Sequence, residues 1–454
     1  MIVRYYILIM FTVLFCQDFN IKPKIDYSFY SDGGNFSYDF HQIHSISLGL
    51  DVVYKNDKYD IFGSFDNNVL FGILAKPNDF NSLKGQSSFG NHFKKDDIWD
   101  YSKTSMKFQY NLNNFKIYLG KFNAKWGNGV YSINFSDKAP SYPQMGFIFD
   151  INTNISYEYL HGQLNSLLIN EANATLYRNN ITSTTRQNNV FRNIVAHKLT
   201  YKITDNIIVS GSESVVYANR NFDVHYMPFV AFFTIKDYLG DKDNLQLYAD
   251  IKFAINDKSY IYSGLFVDEF DPTYILEKND QNWIVYQLGV NSNDLILEFD
   301  NFKIEYDWAD HRVYRNKLSV NDYYSHNYPL GLWSGPHSEI FHAQYSFIFS
   351  GYDFHLSYEF SKRGELTDSM LELAYHKEYY SRYSNNTEEK EKVSFFIKKT
   401  YFKKLELSLG YVFIDWRNAG FDPEYSSIEF RDIIKHSINF NISFVPTIFI
   451  RDNF

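Results

Sequence analysis

The residues from 323 to 337 concentrate side chains that suit carbohydrate binding. Aromatic rings stack on the apolar faces of sugars, and imidazole groups exchange hydrogen bonds with hydroxyls. The candidate glycan-binding residues of this stretch are Tyr324, His326, Tyr328, Trp333 and His337, beside Tyr323. The alternative is that these rings pack the loop or form part of an aromatic band, because aromatic residues make up 19% of the chain.

Catalytic chemistry has little support in the sequence. The 13 histidines are scattered, and no H-E-x-x-H, G-x-S-x-G or phosphate-loop motif occurs. His41 and His44 would point to opposite faces of a strand, which makes them a poor metal pair. We therefore expect no catalytic residue, no metal and no cofactor. A hydrolase remains an alternative through the dipeptides His44-Ser45 and His436-Ser437, and it would require His and Ser, or two carboxylates, to converge.

The elements that position these residues are predicted to be strands. Apolar and polar side chains alternate with a period of two throughout the chain, most clearly in residues 106–112, 244–255, 302–309, 354–361 and 437–444. Several runs have about ten residues, near the ~9–11 of a tilted transmembrane strand and above the ~5–6 typical of soluble sheets. Such runs favour a barrel whose apolar faces meet lipid and whose polar faces line a lumen.

The connections between the runs are of two kinds. Residues suited to tight turns occur at Asn56-Asp57, Asn113-Asn114, His161-Gly162, 204–206, 256–258, Asp300-Asn301 and Gly351-Tyr352. Long stretches lie between them, at roughly 73–99, 122–150, 171–191, 218–243, 268–281 and 310–340. We therefore predict an all-β fold, a single antiparallel outer-membrane β-barrel of about 18 strands with long extracellular loops and short periplasmic turns.

Composition and charge agree with that fold. A mean hydropathy of only -0.36 accompanies the high aromatic content, as expected for lipid-facing rings and aromatic girdles. The net charge of -9 contains no basic block, which argues against nucleic acid as a partner. The single cysteine, Cys16, leaves the rest of the chain without a disulfide.

The N-terminus reads as an export signal. Arg4 provides the positive charge, and residues 5–15 form an apolar run that is too short to span a bilayer. We expect residues 1–17 to be a signal peptide, with cleavage placed only approximately, and residues 18–454 to form the barrel.

A family resemblance begins at Trp126-Gly127-Asn128-Gly129, followed by Ser136, Ala139 and Pro143. These residues resemble the W-G-x-G … S-x-x-A … P signature of the capsule assembly Wzi family. Asn128 stands where that family often has Pro, and Asp137-Lys138 replaces a common Asn pair. Three later segments resemble the family in matching order: 226–229 with 243–245, 264–269, and 324–339. We expect the motif residues to shape a structural loop: Trp126, Gly127, Gly129, Ser136, Ala139 and Pro143.

The resemblance implies a function. Members of that family are outer-membrane barrels that act as lectins for surface polysaccharide. A chain similar to them would bind and organise capsular or extracellular polysaccharide at the surface of a Gram-negative-type bacterium. Its partners would be outer-membrane lipid, the polysaccharide and the barrel assembly machinery, and we expect a monomer.

The principal alternative is a porin or solute-selective channel, because the same polar lumen would serve it. A plugged lumen would favour the lectin and an open lumen the porin. Residues 79–99 are long enough to fold inward.

Overall fold

The computed structural model describes residues 19–32, 40–73, 92–95, 98–166, 168–173, 178, 181–182, 188–240, 242–269, 282–367, 370, 382–384, 386–419, 431–446 and 448–450. The predicted signal peptide and most of 79–99 lie outside these residues. In the described part, 18 antiparallel strands form a closed barrel, as predicted. No helix within the described ranges combines the length and apolarity needed to cross a membrane.

The strands follow one another around the barrel. They are β1 Phe19–Tyr30, β2 Phe40–Lys55, β3 Tyr59–Ile73, β4 Ile98–Leu112, β5 Phe115–Phe122, β6 Tyr142–Asp150, β7 Ile155–Leu164, β8 Arg192–Lys202, β9 Ile207–Ala218, β10 Asn244–Ala254, β11 Ser259–Glu269, β12 Trp283–Asn293, β13 Asn301–Ala309, β14 Ser338–Phe349, β15 Tyr352–Gly364, β16 Thr387–Tyr401, β17 Leu405–Ala419 and β18 Arg431–Phe444. Loops add the helix α1, Phe232–Tyr238, and a small hairpin that pairs Tyr324–Ser325 with Tyr328–Pro329.

The barrel closes between its first and last strands. β18 pairs with β17 on one side and with β1 on the other, where Ile25 lies opposite Phe444 and Tyr30 opposite Asn439. Ile448–Ile450 continues the same edge beside Phe19–Ile21. Closure leaves no unpaired edge, which a sheet in hydrocarbon requires because lipid cannot satisfy backbone groups.

The two ends of the barrel differ as predicted. Eight connections at one end have two to seven residues, whereas those at the other end have nine to 28. The turn predicted at His161-Gly162 is wrong, because both residues lie inside β7. The turn is at 151–154, where the side chain of Asn152 accepts hydrogen bonds from the backbone N–H of Asn154 and Ile155.

Many polar side chains of this protein are buried and many large apolar ones are exposed, unlike those of a soluble domain. On β13, Glu305 and Asp307 face the lumen and are fully buried. Leu119, Met106 and Leu288 are more than half exposed on the outer faces of their strands. The outer wall is therefore an apolar band suited to lipid, and the lumen is lined by polar groups.

Candidate functional site

The loop between β5 and β6, residues 123–141, lies inside the barrel; we call it the lumen segment. Trp126, Ile133 and Phe135 are each at most 2% exposed. The Trp126 and Phe135 rings meet edge to face with centroids 4.8 Å apart. A loop that extended into solvent would not bury three large apolar side chains, so this segment has folded inward onto itself and the wall.

The two glycines of the motif allow the lumen segment to approach the wall. Gly127 has a φ of +112°, which residues with a Cβ rarely adopt. A Cβ on Gly129 would lie 2.3 Å from the side-chain oxygen of Gln287. Between them, the Asn128 amide donates to Asp250 on β10 at 2.8 Å. The Trp-Gly-x-Gly pattern therefore produces a turn that touches the lumenal faces of β10 and β12.

Glu305 on β13 anchors the tip of the lumen segment. Its carboxylate accepts the backbone N–H groups of Val130 at 2.6 Å and Tyr131 at 2.8 Å. The Tyr262 hydroxyl also donates to it, at 2.5 Å. Beyond it, the Tyr131 hydroxyl donates to Glu359 on β15. The lumen segment therefore crosses from its own strands to the far wall and is held there by charged acceptors.

The loop between β13 and β14, residues 310–337, packs on the lumen segment; we call it the late loop. The Tyr314 hydroxyl donates to the carbonyl of Ile133 at 2.7 Å. The Tyr323 hydroxyl donates to Asn134, and the Ser136 N–H donates to the carbonyl of Leu330. Two separate pieces of the sequence resemblance thus form one unit, in which the late loop is packed against the segment that fills the lumen.

The remaining motif residues act through backbone and packing. The carbonyl of Ala139 accepts from the Asn123 amide at 2.7 Å, and the Ser136 hydroxyl accepts from the N–H of Lys138. Pro143 lies in β6 opposite Lys121. All three shape the return of the chain from the lumen to the wall.

The structure separates the five candidate glycan residues into two groups. Tyr324, His326 and Trp333 are half-buried, whereas Tyr328 and His337 are buried. The His337 ring stacks on Tyr383 at 4.8 Å, and its Nδ1 lies 2.5 Å from the carbonyl of Glu365. His337 therefore joins the late loop to the following loop, and only the half-buried group is open to a ligand in this structure.

Lys138 is a further member of this site that the sequence analysis did not select. Its ammonium lies 5.5 Å from the centroid of Tyr328 and 5.9 Å from that of Trp333. The side chain is 2% exposed. A cation held against two rings from another loop adds an attraction that favours the packed arrangement. The available signal was the departure of Asp137-Lys138 from the family pattern.

Burial keeps three histidines of the late loop neutral. Burial lowers the pKa of His311 and of His326 to about 4, and that of His337 to about 3. The His326 ring is positioned by Asn165, whose amide lies 2.9 Å from Nε2. At neutral pH these imidazoles are therefore uncharged, and of the three only His326 is half-buried rather than buried.

An acidic side chain at the rim holds the late loop in place. Asp268 accepts the backbone N–H of Tyr314 at 2.5 Å and the amide of Gln246 at 3.3 Å. The side chain of the neighbouring Glu269 lies outside the described residues. The contacts of Asp268 are those of a structural anchor.

A cavity of about 500 Å³ remains beside the lumen segment, within the roughly 300–1,000 Å³ typical of small-ligand sites. Its lining combines rings and charges: Phe62, Ser105, Lys107, Tyr118, Phe122, Asn123, Ala124, Lys125, Trp126 and Glu158. Lys198 pairs with Glu158 at 3.0 Å and lies 4.7 Å from the Trp126 ring. The lumen thus keeps a charged recess on the side of β3 to β7.

The two His-Ser dipeptides each place the imidazole beside a tyrosine hydroxyl. His44 Nδ1 lies 2.9 Å from the Tyr27 hydroxyl, and His436 Nδ1 lies 2.7 Å from that of Tyr411. Both imidazoles thus bond to tyrosine rather than to the adjacent serine. No group of three or more His, Cys, Asp or Glu in the described ranges is arranged to hold a metal.

Fold and surface together define an outer-membrane β-barrel with a loop folded into its lumen. Among solved structures, the chain is similar to Wzi of Escherichia coli, "an Outer Membrane Protein Involved in Group 1 Capsule Assembly" and a "Carbohydrate Binding Beta-Barrel". The identity is 12% and the TM-score 0.57, with 97% of this chain and 86% of that one covered. This likeness confirms the fold predicted from the Wzi-like motifs.

Other similar structures are Pseudomonas aeruginosa OccK5 (OpdH) and Acinetobacter baumannii OccAB2. The former has 11% identity and a TM-score of 0.47, covering 95% of this chain and 98% of that one. The latter has 9% identity and a TM-score of 0.49 at the same coverage. No family model and no curated protein sequence matches the chain.

Proposed function

We propose that this outer-membrane barrel is lectin-like and organises capsular or extracellular polysaccharide at the cell surface. The observation that carries the proposal is the packing of the late loop on the lumen segment. This packing fixes the backbone around Tyr324, His326 and Trp333 while leaving their side chains partly open. Two fixed aromatic rings and the neutral imidazole of His326 suit the repeating hydroxyls and apolar faces of a polysaccharide. The carbohydrate binding of Wzi, which shares the fold, supports the same assignment.

Binding at each site would be weak and would gain strength along the polymer. An aromatic contact contributes about 0.5–1.5 kcal/mol beyond the area it buries. Many repeats of one polymer bound by many barrels give retention through avidity rather than through a single tight site. No covalent step is required.

The test is retention of the refolded protein on immobilised polysaccharide from the producing organism. We expect Trp333→Ala and Tyr324→Ala each to reduce the apparent affinity by about 3- to 10-fold, because each removes one ring contact. The matched control is Phe402→Ala, an aromatic residue that is 90% exposed in a short turn at the other end. Unchanged retention in both loop variants would overturn the assignment of these residues.

A solute-selective channel is the second candidate. The recess between Lys107, Lys125 and Glu158 favours it, because it leaves part of the lumen accessible beside the lumen segment. Single-channel conductance in a planar bilayer separates the two functions. Large, stable conductance steps from the unmodified protein would favour the channel, whereas a silent barrel that retains polysaccharide would favour the lectin.

A further inference from the structure

Residues 219–240, which follow β9, lie against the outer wall of the barrel; we call them the strap. Three of its rings stack on residues of β7 and β8: Phe229 on Tyr157 at 4.4 Å, Phe222 on His161 at 4.3 Å and Phe232 on His197 at 4.2 Å. These partners face outward, since Lys198, beside His197, contacts Trp126 in the lumen. The strap therefore covers the surface that faces lipid elsewhere on the barrel.

The wall beneath the strap contains polar groups among its buried apolar side chains. The Asn193 amide donates to the carbonyl of Arg220 at 2.8 Å. Glu213 lies 3.2 Å from His197 and accepts the N–H of Phe232 at 2.7 Å. Such groups would be costly against hydrocarbon, by several kcal/mol each. The strap satisfies and covers them, so it forms part of the transmembrane wall rather than an accessory loop.

The outer surface of the strap carries several large, exposed apolar side chains. Met227 is 53% exposed and Phe229 66% exposed, and Phe222, Val224, Phe233 and Tyr238 are also exposed. A patch of this kind on a loop in water would be an aggregation liability. On the side of a barrel it continues the apolar band formed by Ile117, Leu119 and Met145. The strap thus presents large apolar side chains to the membrane in place of the wall that it covers.

A groove of about 470 Å³ runs between the strap and the wall. Its lining is wholly apolar: Phe115, Phe147, Phe149, Met227, Pro228 and Phe229. Phe115 directly follows the two-residue turn at 113–114, and Phe149 lies just before the turn at 151–154. Because short turns mark the periplasmic end, the groove opens in the periplasmic half of the bilayer.

We propose that the strap is embedded in the outer membrane and that its groove binds an acyl chain of a phospholipid. Continuity with the lipid-facing wall identifies the occupant as lipid. The position of the groove in the periplasmic half of the bilayer identifies the kind of lipid. The periplasmic leaflet of an outer membrane contains phospholipid, whereas lipopolysaccharide occupies the outer leaflet. An acyl chain would fill the groove that the rings of β5 and β6 leave beside Met227 and Phe229.

The first test measures the depth of the strap with nitroxide labels. In a Cys16→Ser background, the full chain in phospholipid liposomes carries a label at Met227→Cys or Phe233→Cys. Lipid-facing Leu119→Cys and turn Phe402→Cys are the matched controls. We expect both strap labels to resemble Leu119, open to oxygen and shielded from a water-soluble nickel chelate. Strap labels as open to the chelate as Phe402 would overturn the membrane placement.

The second test measures occupancy of the groove by native mass spectrometry after release from nanodiscs containing phospholipid and lipopolysaccharide. Met227→Asp puts a charge in the groove, and Phe233→Asp puts the same charge on the strap outside it. We expect the unmodified protein and Phe233→Asp to retain phospholipid and Met227→Asp to lose it at least about tenfold. Equal retention in Met227→Asp, or retention of lipopolysaccharide alone, would overturn the assignment.

Discussion

Replacing Glu305 by Gln should release the lumen segment from the far wall. The carboxylate accepts two backbone N–H groups, from Val130 and Tyr131, with one on each oxygen. An amide has a single acceptor oxygen and turns its NH₂ group toward the other N–H. One charge-assisted hydrogen bond is lost and one buried donor is left opposite another donor.

The size of the effect follows from these two losses. A hydrogen bond to a charged group contributes about 1.5–3 kcal/mol, and an unsatisfied buried donor costs about 1–3 kcal/mol. Taking about 3 kcal/mol in total, the equilibrium between seated and released segment shifts by about 100-fold. The Tyr131–Glu359 contact remains, so the segment is loosened at its tip rather than freed entirely.

The assay is single-channel conductance of the refolded full chain in a planar bilayer. We expect the unmodified protein to stay closed for nearly all of the recording and Glu305→Gln to have an open fraction about 100-fold larger. The matched control is Asp51→Asn on β2, which removes one lumenal carboxylate that pairs with Lys24 at 2.8 Å instead of with the lumen segment. Equal conductance in Glu305→Gln and the unmodified protein would refute the anchoring role, and equal opening in Asp51→Asn would attribute the effect to lumenal charge alone.

Two further changes probe the same unit. Gly129→Ala should raise the open fraction of the channel and lower the free energy of unfolding by about 1–3 kcal/mol, because the new Cβ would meet Gln287. The control is Gly63→Ala, whose Cβ would have nothing within 4 Å, and it should match the unmodified protein in conductance and thermal unfolding. Acid should loosen the late loop, because the pKa of an unfolded histidine is about 6.5 whereas burial lowers the pKa of His311, His326 and His337 to about 4 or below. The stability that these neutral histidines contribute is fully present above pH 6.5 and is lost as the pH falls through 4. Faster hydrogen exchange of residues 310–337 at pH 4.5 than at pH 7, after correction for the intrinsic exchange rates, would detect the loss.

The strands were predictable because their signal is local. On β13, Tyr306 and Trp308 face outward while Glu305 and Asp307 face the lumen, so the period of two is visible in four consecutive residues. The barrel requires the same pattern in nearly every strand, and lengths near ten residues separate it from a soluble sheet.

The incorrect turn at His161-Gly162 arose where tertiary structure changes what a strand must look like. An outward histidine followed by glycine resembles a turn, because a lipid-facing position is expected to be apolar. Here the Phe222 ring of the strap covers His161, and the Tyr217 hydroxyl lies 2.7 Å from its Nε2. The sequence of β7 gives no indication that His161 is covered, because the covering residue lies about 60 positions later in the chain.

The candidate site was predictable in part for the same reason. The Trp-Gly-x-Gly stretch indicates a sharp, ring-anchored turn from its own residues, and Trp126 is indeed buried. Its partners Asp250, Glu305 and Glu359 lie on strands more than 100 residues away. In the sequence of such a strand, a lumenal carboxylate that faces water cannot be distinguished from one that binds a loop. The accessible part of the late loop also depends on which side of each ring the lumen segment covers.

The lumen segment has a consequence for how the molecule is made. Residues 128–131 are synthesised before every strand that holds them, and their contacts with Glu305 and Glu359 span 174 to 228 positions. Contacts of such long range form late, because the long intervening chain must first be brought together at an entropic cost. Because β1 and β18 seal the wall, the segment must either enter while that seam is open or thread in afterwards from the loop end. The order of barrel closure and loop seating therefore decides the route, and a chain that sealed first would be a hollow barrel until its loop threaded in.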